Sequence, residues 1–135
     1  MSAEQNRKIV EDAVAKWQSG NPEAFYQILD ENVNWTVIGT TEVSGTYTSR
    51  QDFIDDAVRK IGKRIDGQVT PKIVDIITEG DRLVFRWDGS GKMADGTPYR
   101  NRYSWAMTFK DGKVVEGTAY LDTALVDRLM ELPSG

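Results

Sequence analysis

The apolar residues of this chain change their period at Gly67, and that change constrains the fold more than any other feature. Before it, Ile9, Val10, Ala13, Val14 and Trp17 recur at helical spacing and predict an amphipathic helix over about residues 4–18. "SGNPEAFYQIL" restarts the chain: Asn21 can cap, Pro22 suits the first helical position, and Phe25, Ile28 and Leu29 form an apolar stripe. "NVNWTVIG" and "EVSGTYT" read as short strands, rich in β-branched and aromatic residues and joined by a polar turn. Ser49, with Asp52 three residues on, opens a third helix over about 50–63 that carries Phe53, Ile54, Ala57, Val58 and Ile61 on one side. On its other side Asp55 and Arg59, and Asp56 and Lys60, stand at i,i+4 spacing. After Gly67 the period is two, which predicts strands at about 68–78, 82–90, 99–109 and 113–121. A short helix capped by Asp122 or Thr123 then runs to about Met130. Helices first and antiparallel strands after imply an α+β fold, with the helices packed on one side of a curved sheet.

The last hairpin, "TFKDGKVV", has Asp-Gly at its tip and permits two registers. A two-residue turn would set Trp105 opposite Thr118. A type I turn with Gly112 in the left-handed region would add a bulge, pairing Phe109 with Lys113 and Trp105 with Gly117. The second is preferred, because it puts Asn101, Tyr103, Trp105, Met107 and Phe109 on one face with Val115, Gly117, Ala119 and Leu121. Arg100, Arg102, Ser104, Thr108, Glu116, Thr118 and Asp122 then take the other. Large rings opposite Gly117 and Ala119 leave room for a cavity on the inner face.

Composition narrows the chemistry. The 135 residues are expected to form one domain spanning 1–135, with 39% hydrophobic and 28% charged residues as in an ordinary globule. The net charge is −4 and the basic residues are scattered, so no nucleic-acid partner is expected. No apolar run approaches a membrane span, the N-terminus lacks a signal-peptide core and there is no cysteine, which fits a cytoplasmic protein. With no His and no Cys, Ser-His and Cys-His catalysis, thiol redox chemistry and the usual zinc sites are excluded. Acid–base work falls to Asp, Glu, Tyr, Lys or water, and no cofactor or metal is called for.

"VFRWD" at 84–88 poses the question of direction. Alternation sets Leu83, Phe85 and Trp87 on one face of a strand and Val84, Arg86 and Asp88 on the other. Either the charged pair sits in water over an aromatic core, or it looks into an enclosed cavity.

The helix order, the strand pair around "NWTVIG" and "VSGTY", and the ending "YRNRYSWAMTFKDGKVVEGTAYLDTALVDRL" resemble the nuclear transport factor 2-like superfamily. Within it the chain is most similar to SnoaL-like polyketide cyclases and ketosteroid isomerase-like proteins. The resemblance implies a cone-shaped, cystatin-like fold: three N-terminal helices on a strongly curved, mostly antiparallel sheet, with a short C-terminal helix. It also implies a homodimer and a conical pocket. An ungapped comparison with limonene epoxide hydrolases puts their Arg-x-Asp pair on Arg86 and Asp88, their second Asp on Ala119, and their water-holding Tyr and Asn on Trp35 and Val37. The ketosteroid isomerase base, protonated Asp and oxyanion Tyr fall near Thr36, Trp105 and Ala13, and none is retained.

By this resemblance Arg86 and Asp88 turn inward as the catalytic pair, Asp88 as general base or acid and Arg86 tuning it. Phe85 and Trp87 would then lie on the convex face, where a second subunit commonly sits. Phe25, Trp35, Tyr103 and Trp105, a core set on the residues alone, become pocket lining together with Ala119, and Asn101 and Tyr103 supply the polar contacts that orient the ligand. The implied function is binding of an apolar, cyclic small molecule, with cofactor-free acid–base chemistry on it of the cyclase, isomerase, dehydratase or hydrolase kind. The alternatives are a non-catalytic carrier with the same pocket, and a dimeric interaction module whose cone is plugged by Trp35 and Trp105.

Overall fold

The computed structural model describes residues 2–134. Helix α1 (Ala3–Gln18) begins in a capping box: the Gln5 amide donates to Ser2 Oγ at 3.2 Å, and the Ser2 amide donates to Gln5 Oε1 at 2.8 Å. Its buried stripe is Val10, Ala13, Val14 and Trp17, as the spacing predicts, with Asn6 added. Helix α2 (Glu23–Tyr26) is a single turn and ends earlier than its apolar stripe implies. The reason is competition from the sheet, since Val114 donates to the Ile28 carbonyl at 2.9 Å and draws the chain into strand β1 (Leu29–Val37).

Strand β2 (Gly45–Tyr47) leads to a helical stretch in three parts: α3 (Arg50–Phe53), a π-helical turn (Ile54–Val58) and α4 (Arg59–Gly62). Ser49 caps α3, its Oγ accepting from the Asp52 amide at 3.0 Å. Of the two ion pairs expected there, Asp55–Arg59 forms at 3.0 Å, and among the described residues Asp56 and Lys60 form no bridge. Four long strands follow: β3 (Ile65–Glu79), β4 (Arg82–Met93), β5 (Pro98–Lys110) and β6 (Lys113–Leu121). The chain closes with α5 (Thr123–Met130), whose cap is Asp122.

The six strands form one sheet in the order β2-β1-β6-β5-β4-β3. Every pairing is antiparallel except β1 with β6, which is parallel. The expected α+β architecture is therefore present.

The β5–β6 hairpin starts in the two-residue-turn register and then slips into one that neither expectation gave. Its tip is a two-residue turn with both central residues at positive φ, Asp111 at 50° and Gly112 at 78°, pairing Lys110 with Lys113 and Phe109 with Val114. A bulge at Val115 then shifts the ladder, so that Met107 faces Gly117 and Trp105 faces Ala119. The expected division of faces survives, but the partner of Trp105 is two residues further along. The inward valine is Val114, fully buried, and not Val115.

The direction of β4 is the reverse of what the resemblance implies. Leu83, Phe85 and Trp87 point to the helices and are buried, with Phe85 against Phe25 at 5.9 Å and Trp87 edge-on to Trp17 at 5.0 Å. Arg86 is exposed and Asp88 half-buried on the opposite, convex face. Turning the strand over would expose two large aromatic side chains and bury two charged ones, both costly. Arg86 instead pairs with Asp75 of β3 at 2.6 Å, each side chain more than two-fifths exposed. Such a pair contributes at most about 1 kcal/mol.

Candidate functional site

A cavity of about 210 Å³ lies between the concave face of the sheet and the helices. The sheet lines it with Trp35, Trp87, Tyr103, Trp105 and Ala119, and the helices with Trp17, Tyr26, Phe53 and Ala57. Gly62 and Gly67, both exposed, also line it, so its mouth lies between the end of α4 and the start of β3. Among the described residues, no Asp, Glu, Lys or Arg is on its wall.

Two glycines make room for the rings. Trp87 and Tyr103 stack at 3.9 Å with their planes 8° apart, and a Cβ at Gly89 would come within 2.9 Å of both. Gly117 stands beside Trp35 in the β1–β6 ladder, and a Cβ there would collide with the Trp35 indole. The space expected at Gly117 is thus taken by Trp35 itself, and the cavity lies beyond that ring. Trp105 meets Trp35 edge-on at 5.1 Å and Trp87 at 4.9 Å, which locks three indoles against one another.

The rings of Trp35, Trp87 and Trp105 line this wall. The Nε1–H groups of Trp35, Trp87 and Trp105 are buried and meet no acceptor among the described residues. Buried donors in native proteins are nearly always partnered, by protein, water or ligand. The other polar feature is a chain of hydrogen bonds along β5. Asn101 Oδ1 accepts from the Asp122 amide at 3.0 Å, and Asn101 Nδ2 donates to the Asp122 carbonyl at 3.1 Å and to the Tyr99 hydroxyl at 3.0 Å. The Tyr99 and Tyr103 hydroxyls are 2.8 Å apart.

Burial raises all three tyrosines of the site above the ordinary phenol value. Tyr26 is pushed up to about 12, by burial first and then by Glu23. Tyr99 is raised by burial, against the opposing effect of its hydrogen bonds from Tyr103 and Asn101. Tyr103 is raised well above the ordinary value by burial, with Tyr99 and Tyr26 adding to it. All three remain protonated near neutral pH.

Of the residues that the sequence singled out, Trp35, Tyr103, Trp105 and Ala119 come together on the cavity wall. Phe25 lies behind it, packed on Trp105 at 5.2 Å, and Asn101 is buried one step back, holding Tyr99. Arg86 and Asp88 do not join them: they line a shallow groove on the convex face with Val74, Arg102, Ser104 and Tyr120. Sequence reasoning missed Trp87, Tyr99 and the lining role of Trp17 and Tyr26. The signal for Tyr99 was available, because Tyr99, Asn101 and Tyr103 alternate on one face of one strand.

The family model of the SnoaL-like domain matches residues 10–117. The chain belongs to that family. None of the curated proteins matches the sequence. Among solved structures, this SnoaL-like protein is similar to a nuclear transport factor 2-like protein from Burkholderia thailandensis, with 25% identity, 95% of this chain and 98% of that one covered, and a TM-score of 0.77. It is similar in fold to TerC, co-crystallised with polyporic acid, at 19% identity, coverage of 95% and 99%, and a TM-score of 0.75. A protein with a ketosteroid isomerase-like fold from Catenulispora acidiphila, in complex with trimethylamine, has 18% identity, coverage of 93% and 94%, and a TM-score of 0.70.

Proposed function

We propose that this SnoaL-like protein binds a small, cyclic, largely apolar molecule that carries hydrogen-bond acceptors, and that it acts as a carrier or sensor without a carboxylate base. The observation that carries this reading is one apolar cavity lined by the rings of Trp35, Trp87 and Trp105, whose buried Nε1–H groups meet no acceptor among the described residues. An apolar cavity of about 150 Å³ takes up benzene, and drug-sized sites run from about 300 Å³ upward. At about 210 Å³ the cavity suits one ring with short substituents. The SnoaL-like domain, and neighbours of the same fold holding polyporic acid and trimethylamine, support a small-molecule role. A protonated amine would find aromatic faces here. It would also find, among the described residues, no carboxylate to balance it. An acceptor is the better match.

The wall supports no catalysis of the kind the Arg86–Asp88 pair implied, since that pair faces away from the cavity. The convex face, where Val74, Ile77 and Tyr120 are exposed, is the surface we assign to a second copy of the chain. Sedimentation of the purified protein tests that assignment, and a monomer at micromolar concentration removes it.

Calorimetric titration with acetophenone and with ethylbenzene, which differ by one carbonyl oxygen, tests the pocket. Both are expected to bind, acetophenone several-fold more tightly because its oxygen satisfies an indole donor. No binding of either, or equal binding of both, would remove this reading.

A further inference from the structure

We propose that residues 62–67 form a movable rim of the cavity and that Arg64 is the latch holding it closed, so that this side chain sets how fast a ligand enters and leaves. This rests on the binding reading above and adds to it a route and a control of exchange. Gly62, Ile65 and Gly67 of the rim line the cavity at its mouth. Both ends of the segment are loosely tied. On one side α4 ends at Gly62. On the other the β3–β4 ladder breaks: Asp66 pairs with Lys92 and Thr70 with Ser90, so Gly67, Gln68 and Val69 have only Gly91 opposite them. Gly67 turns there at φ 86°, which glycine adopts without strain. A break of this kind uncouples the rim from the long run of β3 that follows. What remains on the sheet side is the tip of the β4–β5 hairpin, where Ile65 pairs with Met93 and the Ala94 amide donates to the Arg64 carbonyl at 2.8 Å.

Arg64 joins this rim to the helices. Its side chain is buried, and among the described residues it forms no ion pair. Nη1 donates to the Lys60 carbonyl of α4 at 2.8 Å, and Nε donates to the Leu132 carbonyl, beyond α5, at 2.9 Å. A guanidinium suits the task, because its rigid fork reaches two acceptors at once. Around it the contact is apolar: Ile61 and Leu132 pack against the cluster of Ile65, Met93, Tyr99 and Leu129. Apolar contacts are non-directional and can slide, whereas hydrogen bonds from a charged donor are strong and fix a geometry. A buried cation with no carboxylate is a costly way to fill space. Its two bonds span the one place where α4 and the C-terminal segment must part for the mouth to widen.

Stopped-flow mixing with acetophenone, followed by tryptophan fluorescence, measures the exchange. In the unmodified protein the observed rate should level off at high acetophenone, because opening precedes entry. Arg64→Met keeps the apolar stem and removes both donors. The plateau and the dissociation rate should then rise about tenfold, with affinity unchanged within about threefold. Arg64→Lys, which has no fork to span two carbonyls, should fall between. Leu132→Ala loosens the same contact from the other side and should raise the plateau several-fold, with Arg64→Met adding less than about twofold in that background. A rate that climbs linearly with acetophenone throughout, or an Arg64→Met protein that loses affinity at an unchanged plateau, overturns the latch and leaves the pocket intact. Amide exchange reads the latch with no ligand present. The Ala94 amide should exchange about tenfold faster in Arg64→Met, while amides in the β5 ladder change less than about twofold. If acetophenone does not bind, the binding reading fails, and an Ala94 amide unaffected by Arg64→Met removes the latch as well. Melting temperatures of the variants check that the fold is kept.

Discussion

Phe85 and Arg86 are neighbours in the chain and share no environment. Phe85 is fully buried among rings, whereas the Arg86 side chain is 49% exposed and held by one ion pair. The same contrast runs across the whole sheet. The concave face carries Trp35, Phe85, Trp87 and Trp105, packed on one another and on α1 and α2. The convex face carries Arg86, Asp88, Arg102, Thr118 and Tyr120. The difference teaches that a strand with aromatic and charged residues in alternation reports the partition but not its sense. The sense comes from the helices: only one face has α1 and α2 to pack against, and the rings go there.

The contrast can be broken most sharply at Phe85. Phe85→Ala should cost about 3–5 kcal/mol in chemical denaturation, as for a large ring removed from a packed core. A cost below about 1 kcal/mol would mean that the concave face is not the core. Next is Gly117→Ala, whose new Cβ must displace the Trp35 ring. About 1–3 kcal/mol of destabilisation is expected, together with a change in tryptophan fluorescence. An unchanged spectrum and stability would put Trp35 elsewhere. On the convex face Arg86→Ala should cost less than about 1 kcal/mol, and Asp88→Asn should leave acetophenone affinity within about twofold. A large loss in either would return the pair to the site.

The smallest effect is a matter of pH. Tyr26 ionises in the folded protein at about 12 against the ordinary 10.0, so the folded state holds its proton more tightly than the unfolded state does. Its contribution is fully present below pH 10 and is lost as the pH rises toward 12. Tyr26→Phe should flatten that part of the alkaline stability curve, and an unchanged slope would mean that Tyr26 is solvated.

The helices and strands were legible because their periods are carried by many residues at once: α1 from Val10 to Trp17, and β5 from Asn101 to Phe109. The point at which a ladder slips was not. The bulge at Val115 and the shift in β3 between Ile73 and Asp75 each depend on how two strands meet, which no single segment encodes. The cavity was half legible. Trp35, Tyr103, Trp105 and Ala119 followed from the inner face of β1, β5 and β6, whereas Trp87 was lost with the wrong sense of β4. Asn101 was expected to touch ligand and instead bonds Tyr99 and the backbone of Asp122, the cap of α5.

The parallel pairing of β1 with β6 also governs how the molecule is made. Trp35 leaves the ribosome early, and the slot beside Gly117 that receives its indole leaves it near the end. Until then β1 has only the short β2 beside it, and the aromatic face is without its central strands. Folding must close a loop of most of the chain before that contact rewards it, which makes this a high-contact-order fold and slow for its size. The nascent protein therefore carries four tryptophans in need of shelter, and its final assembly waits on the last strand.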